Sequence, residues 1–185
     1  VGLLAVVLVL GTITAVMAGL AGRRFRERYD NDKFALLRSA KPASPLVPDG
    51  LPPALRRYAE VTGAAARKPP KSVILVQAGE LRTGPDAAWM PFEAEQVFTF
   101  DPPGSLWFVK AHAAPLVSMF QRDNFVEGVG STRMSLLGLA TVTEASGWEM
   151  DRSAGLRFWG AALAFPEVLS QPMLQWTAID DRRAK

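Results

Sequence analysis

The first 22 residues, Val1 to Gly22, carry no charge, and Arg23, Arg24, Arg26 and Arg28 follow at once. At about 1.5 Å rise per residue, a helix of this length crosses a hydrocarbon core of roughly 30 Å. Only Thr12 and Thr14 bring hydroxyls into the run, and a helix turns such groups back onto its own carbonyls. The segment predicts a single-pass membrane helix with the rest of the chain outside the bilayer. A cleaved signal peptide is the rival reading. Its apolar stretch is usually only about 7–15 residues. Arginines directly behind the small residues Gly19 and Ala21 suit a membrane-interface anchor better than a cleavage site. The arginine cluster alone places the C-terminal side in the cytoplasm. The chain begins at Val1 rather than Met, which suggests a piece of a longer protein. Basic residues ahead of it would reverse that orientation, so the sidedness stays open.

Charge is unevenly spread behind the helix. Residues 23–71 hold 12 Lys/Arg against 5 Asp/Glu, whereas residues 72–185 hold 9 against 13. The basic character therefore belongs to the juxtamembrane part, where each positive charge near anionic headgroups is worth about 1 kcal/mol. Membrane lipids are the partner this pattern predicts. Nucleic acid is not, because it needs a basic face on the folded body, and that body is acidic. With no cysteine, disulfides, thiolate metal sites and a cysteine nucleophile are excluded. His112 is the only histidine, so no metal site built on two histidines exists. No cofactor motif is present.

Along the chain, residues 23–50 read as a basic juxtamembrane segment and a stiff spacer. RRFRERYDNDKFALLR has spaced apolar residues that continue the membrane helix into the interface. Five prolines between Lys41 and Pro53 then favour an extended spacer that holds the domain away from the bilayer. From Leu51 to the end the expected domain opens with a short helix, Pro53 to Ala66. Five strands follow, over 72–82, 90–100, 105–113, 116–126 and 131–143. The turns between them, such as Gly84-Pro85-Asp86 and Glu127-Gly128, are tight, which means an antiparallel meander. A helix from Ser153 to about Leu169 is apolar nearly all round and must pack on the sheet, with Asp151 or Ser153 as its cap. Pro166 should kink or restart it. A last strand, Met173 to Ile179, leaves the sheet looking unfinished, as though the domain were truncated at its C-terminus. The fold class is α+β.

Catalytic motifs are absent or incomplete. Gly128-Val129-Gly130 lacks the third glycine of a dinucleotide fingerprint and sits between strands. His112 lies within a strand and no G-x-S-x-G accompanies it, so a serine hydrolase is not supported. Glu93 and Glu95 share a strand face, roughly 7 Å apart at the strand rise. Such a pair can do glycosidase-like work, but alternating charges on the wet face of a strand are far commoner. Arg157, alone among apolar helix residues, needs an acid partner, with Asp123, Glu127 and Glu95 as candidates.

Several short patterns carry a resemblance. They are Trp89 with Pro91-Phe92 and Ala94-Glu95-Gln96; Pro102-Pro103-Gly104 ahead of Trp107; Asp123, Phe125, Gly128 and Gly130; Leu136-Leu137-Gly138-Leu139; and Ser153-Ala154 with Arg157, then Phe165-Pro166. Together, from about Leu51 onward, they resemble an uncharacterised bacterial family with an N-terminal membrane helix, known only as a domain of unknown function. The family pattern implies further strands beyond Lys185. It also implies a glutamate four positions after Arg157, where this chain has Ala161. The resemblance implies no established activity.

By analogy of fold, a curved sheet closed by one helix is similar to the half-barrels of lipoprotein and lipid carriers. The expectation is a membrane-tethered module for a lipid or other apolar ligand. Phe98, Trp107, Trp159 and Phe165 would line its cavity, with Arg157 clamping an anionic group at the mouth. That reading requires a real cavity beneath the helix. A hydrolase using Glu93, Glu95 and Asp123 is the alternative, and requires those carboxylates to converge. A ligand-free structural or interaction domain is the third.

Overall fold

The computed structural model describes residues 2–185. The charge-free run and the charged residues behind it form one uninterrupted helix, α1 (Gly2–Ser39). No proline interrupts it, and the Thr12 and Thr14 hydroxyls donate to the carbonyls of Leu8 and Leu10 at 2.8 and 2.9 Å. Its most apolar 18-residue stretch has mean hydropathy 2.5 and is wholly unburied, which is not how the core helix of a soluble body behaves. By length and composition it suits a membrane anchor and a signal sequence equally.

Behind α1 a short helix α2 (Pro53–Val61) leads to a six-stranded antiparallel sheet. Its strands are β1 (Ser72–Leu81), β2 (Met90–Phe100), β3 (Pro103–Ala114), β4 (Val117–Val126), β5 (Val129–Leu136) and β6 (Ala140–Ser146). Their spatial order is their chain order, so every connection is a hairpin. Helix α3 (Trp148–Ala162) follows, then a separate two-stranded ribbon of β7 (Ala178–Asp180) and β8 (Arg183–Ala184). The result is the expected α+β plan: a long apolar helix, then an antiparallel sheet packed against a helix.

Both faces of the sheet are covered. Strand alternation puts Val97, Leu106, Phe108 and Phe120 on one face and Phe98, Phe100 and Phe125 on the other. Phe25, Tyr29 and Leu36, recurring at helical spacing on α1, close the first face. Ala154, Phe158 and Ala162 on α3 close the second. The half of α1 beyond Gly22 is thus part of the core. Its close approach depends on two glycines. A β-carbon on Gly22 would lie 2.8 Å from the Phe120 ring, and one on Gly138 only 2.6 Å from the Gly22 nitrogen.

The proline-rich segment is extended, but it is packed into the domain and is not the free-standing spacer expected. Ala43 is buried in the core beneath α3, and Leu46 and Leu51 are buried against Ala59 and Leu169. Lys41 N–H donates to the Asp101 carbonyl at 2.7 Å, and Gln171 Nε2 donates to the Ser44 carbonyl at 3.0 Å. The single strand expected over 131–143 is two strands. They turn at Leu137-Gly138, both with left-handed backbones (φ 56° and 73°). Helix α3 starts five residues earlier than expected, behind Gly147. Asp151 caps nothing, because its Oδ1 accepts the Gly130 N–H at 2.7 Å instead. Pro166 restarts the chain as a short 3-10 turn. The segment from Met173 supplies only β7, which pairs with β8 and not with the main sheet.

Candidate functional site

The space beneath α3 is filled by phenylalanine. Phe98 is 1% exposed, with its ring 6.1 Å from Phe158 and 5.5 Å from Phe165. Trp159 sets its edge against Phe158 at 4.7 Å. Phe98, Trp159 and Phe165 are therefore neighbours in one aromatic cluster that also holds Phe100 and Phe125. Trp107 and Arg157 lie at its edge, on a recess of about 110 Å³ that Phe125 and Phe158 also line. That is room for roughly three or four waters at their liquid volume, not for an acyl chain. Trp107 Nε1 donates to Gln77 Oε1 at 3.0 Å. Arg157 pairs with Asp123 at 3.0 Å, one of its three candidate partners, while more than half of its side chain reaches water. Asp123 also accepts from Gln121 Nε2 at 2.9 Å and from the Thr132 hydroxyl. The carboxylate is satisfied and ties α3 to the sheet.

The carboxylates proposed for hydrolysis do not converge. Glu95 lies on the α1 face of β2, whereas Asp123 lies on the α3 face of β4. Nor is Glu95 on a wet face. Arg26 and Lys33, one helical repeat apart on α1, reach it at 3.3 and 2.8 Å, and the fully buried Tyr29 hydroxyl donates to it at 3.0 Å. Arg26 also holds Asp30 at 3.1 Å. Partial burial pushes the Glu95 carboxyl up. The hydrogen bonds from Lys33 and Tyr29 and the charges of Lys33 and Arg26 outweigh that and hold it below the ordinary glutamate range. Burial first, then the charge of Glu95, raises the Tyr29 phenol well above its usual value. This network fastens α1 to the centre of the sheet. His112 is exposed near the end of β3.

A wide space lies on the α1 face, where helix and sheet diverge. It is an open groove of about 810 Å³, within the usual range for small-molecule sites. One wall is the helix stripe Ala15, Ala18, Gly19 and Gly22, continued by Arg26. Facing it are Val76, Phe108, Phe120, Leu116 and Leu137. Polar groups collect at one end: Arg23 and Arg26 on the helix, Glu93 and Lys110 on neighbouring strands. The wall changes from small and apolar to charged within about two helical turns. The sequence carried part of this signal, since small residues at 15, 18, 19 and 22 fall on one helix face. Their partner surface comes from four strands and two turns and follows only from the topology.

No curated protein and no solved structure matches the chain. Residues 43–185 match a family of unknown function, DUF6544. That span takes in the sheet, α3 and the ribbon but begins after α1, so the helix that completes one face of the core lies outside it. The chain belongs to the DUF6544 family.

Proposed function

We propose that this is a membrane-anchored domain that holds a lipid, or another apolar ligand with a polar end, in the groove between α1 and the sheet. The observation that carries the reading is the grading of that groove from an unburied apolar helix to a charged rim. An amphiphile lying there would put its chain along Ala15, Ala18 and Gly19 and its polar end among Arg23, Arg26, Glu93 and Lys110. The groove opens beside the stretch of α1 that would sit in the bilayer, so a lipid enters it sideways without crossing water. Retention of α1 is supported by its continuity. Cleavage behind Ala21 would cut the helix where Gly138 packs against the Ala21 and Gly22 backbone.

The test is native mass spectrometry of the full chain released from detergent. A co-purifying adduct of lipid mass is expected on the natural sequence. It should be lost on Ala18→Trp, whose indole occupies the groove from the helix side. No adduct on either chain after incubation with membrane lipid extract refutes the reading.

A further inference from the structure

In an antiparallel meander the β1–β2, β3–β4 and β5–β6 hairpins point the same way. Here that end of the sheet is the one where α1 loses its charges. Leu116 and Leu137, in the β3–β4 and β5–β6 turns, line the groove together with Ala15 and Gly19. Gly138 abuts the Ala21 backbone. Beside ordinary turn residues such as Gly84, Asp86 and Gly138, the three tips carry large exposed apolar groups. Leu116 is 98% exposed, Trp89 in the β1–β2 loop 58% and Leu139 47%. Two of these turns also strain their backbone. Leu116 and Leu137 have φ of 65° and 56°, a region that leucine avoids and glycine or asparagine would take at lower cost. Arg82 lies over the Trp89 ring at 5.0 Å, which gives that tip an aromatic and a cation side by side. The opposite end of the sheet also exposes Val129 and Trp148 and holds Glu127 with a φ of 49°, but its turns present Asp101 and Glu127 as well, and it lies beside Leu36 and Lys41, at the charged end of α1.

From the position of the tips beside the charge-free half of α1 we infer a second membrane contact: the three hairpin tips insert Trp89, Leu116 and Leu139 into the headgroup region of the bilayer that holds α1. The inference rests on the anchor reading of α1. The occupant is a lipid surface because Leu116, Leu137 and Leu139 lie beside α1 at the level where its charge-free half ends, with Trp89 on the neighbouring tip. Trp and Leu flanked by Arg and Lys are the residues that settle at that depth. Arg23, Arg24 and Arg28 on α1 supply charge for anionic headgroups around them. With the helix as one attachment and three tips as others, the sheet stands upright on the membrane and its groove opens at the lipid surface.

The chain has no cysteine, so single labels are clean. Leu8→Cys, Trp89→Cys, Leu116→Cys, Leu139→Cys and Val129→Cys, the last at the opposite end of the sheet, each take a polarity-sensitive fluorophore. The full chain is reconstituted in vesicles of phosphatidylcholine with a minority of phosphatidylglycerol, with or without lipids carrying a shallow or a deep nitroxide. The expected result is strong deep quenching at position 8, strong shallow quenching with a blue shift at 89, 116 and 139, and neither at 129. Quenching at 8 with 89, 116 and 139 as wet as 129 overturns the tip contact and leaves the anchor standing. Tips shielded from aqueous iodide but unquenched by the lipid probes mean a protein neighbour, and also overturn it. No quenching at 8 removes the anchor, and this inference with it.

Discussion

Glu95→Gln keeps the shape of the residue that fastens α1 to the sheet and removes its charge. The carboxylate accepts from Lys33, Tyr29 and Arg26 at 2.8, 3.0 and 3.3 Å and is about one-fifth exposed. Breaking a fully buried ion pair costs about 3–5 kcal/mol. Lys33 and Arg26 here keep 24% and 37% of their surface, and both remain near Asp30, so screening lowers the cost. About 2 kcal/mol is expected at pH 7, a fall in Tm of roughly 4–8 °C for a chain of this size. Acid gives a second handle. The folded-state pKa of Glu95 is depressed, so its contribution is complete above the unfolded value near 4.3 and is lost as pH falls through the folded one. The natural chain and Glu95→Gln should therefore differ most at neutral pH and draw together as pH falls below the unfolded value and through the depressed folded one. Urea unfolding of the full chain in detergent micelles, followed by tryptophan fluorescence, measures both. A gap under about 0.5 kcal/mol at pH 7, within the range of surface pairs, or a gap unchanged down to pH 3, refutes the network.

A chain beginning at residue 43, where the family match starts, should aggregate or unfold, whereas one beginning at residue 22 should stay folded. The first loses Phe25, Tyr29 and Leu36, on the order of 5–8 kcal/mol of burial, and circular dichroism with sedimentation separates the two. Gly138→Val combines a left-handed backbone with a clash against the Gly22 nitrogen and should cost about 2–4 kcal/mol in urea unfolding. Arg157→Ala should cost about 0.5–1 kcal/mol, since the guanidinium is largely exposed. Asp123→Ala should cost about 2 kcal/mol, because it also strips Gln121 and Thr132 of their acceptor. The reverse order would show that α3 is not tied down through Asp123.

Alternation along 90–100 puts Glu93 and Glu95 on one face, as expected, together with Val97 and Thr99, and Ala94, Gln96, Phe98 and Phe100 on the other. Which face is wet is not a property of the strand. It was decided by Arg26, Tyr29 and Lys33, some 60 residues away, whose charges complement Glu95 and whose helix covers it. For the same reason the start of 23–50 read as a juxtamembrane segment: Phe25, Tyr29 and Leu36 share a helix face by spacing, but among so many charges only the docked sheet shows that this face is buried. The β5–β6 turn escaped because Leu-Leu-Gly-Leu has one turn residue among four and looks like more strand. The meander, α3 and the Arg157–Asp123 pair were legible because each depends on local spacing or on one compensated charge. The groove was not, because half of it is the gap left where a straight helix parts from a sheet.

The most direct measurement uses a phospholipid with a photoreactive group at the end of one acyl chain, mixed into vesicles that hold the full chain. After irradiation and digestion the modified residues are read by mass spectrometry. Crosslinks concentrated on Ala15 to Gly22 and on the facing strand residues Phe108 and Phe120 are the expected result. Crosslinks on Phe98, Trp159 and Phe165, or on the outer face of α1 alone, would contradict a lipid held in the groove.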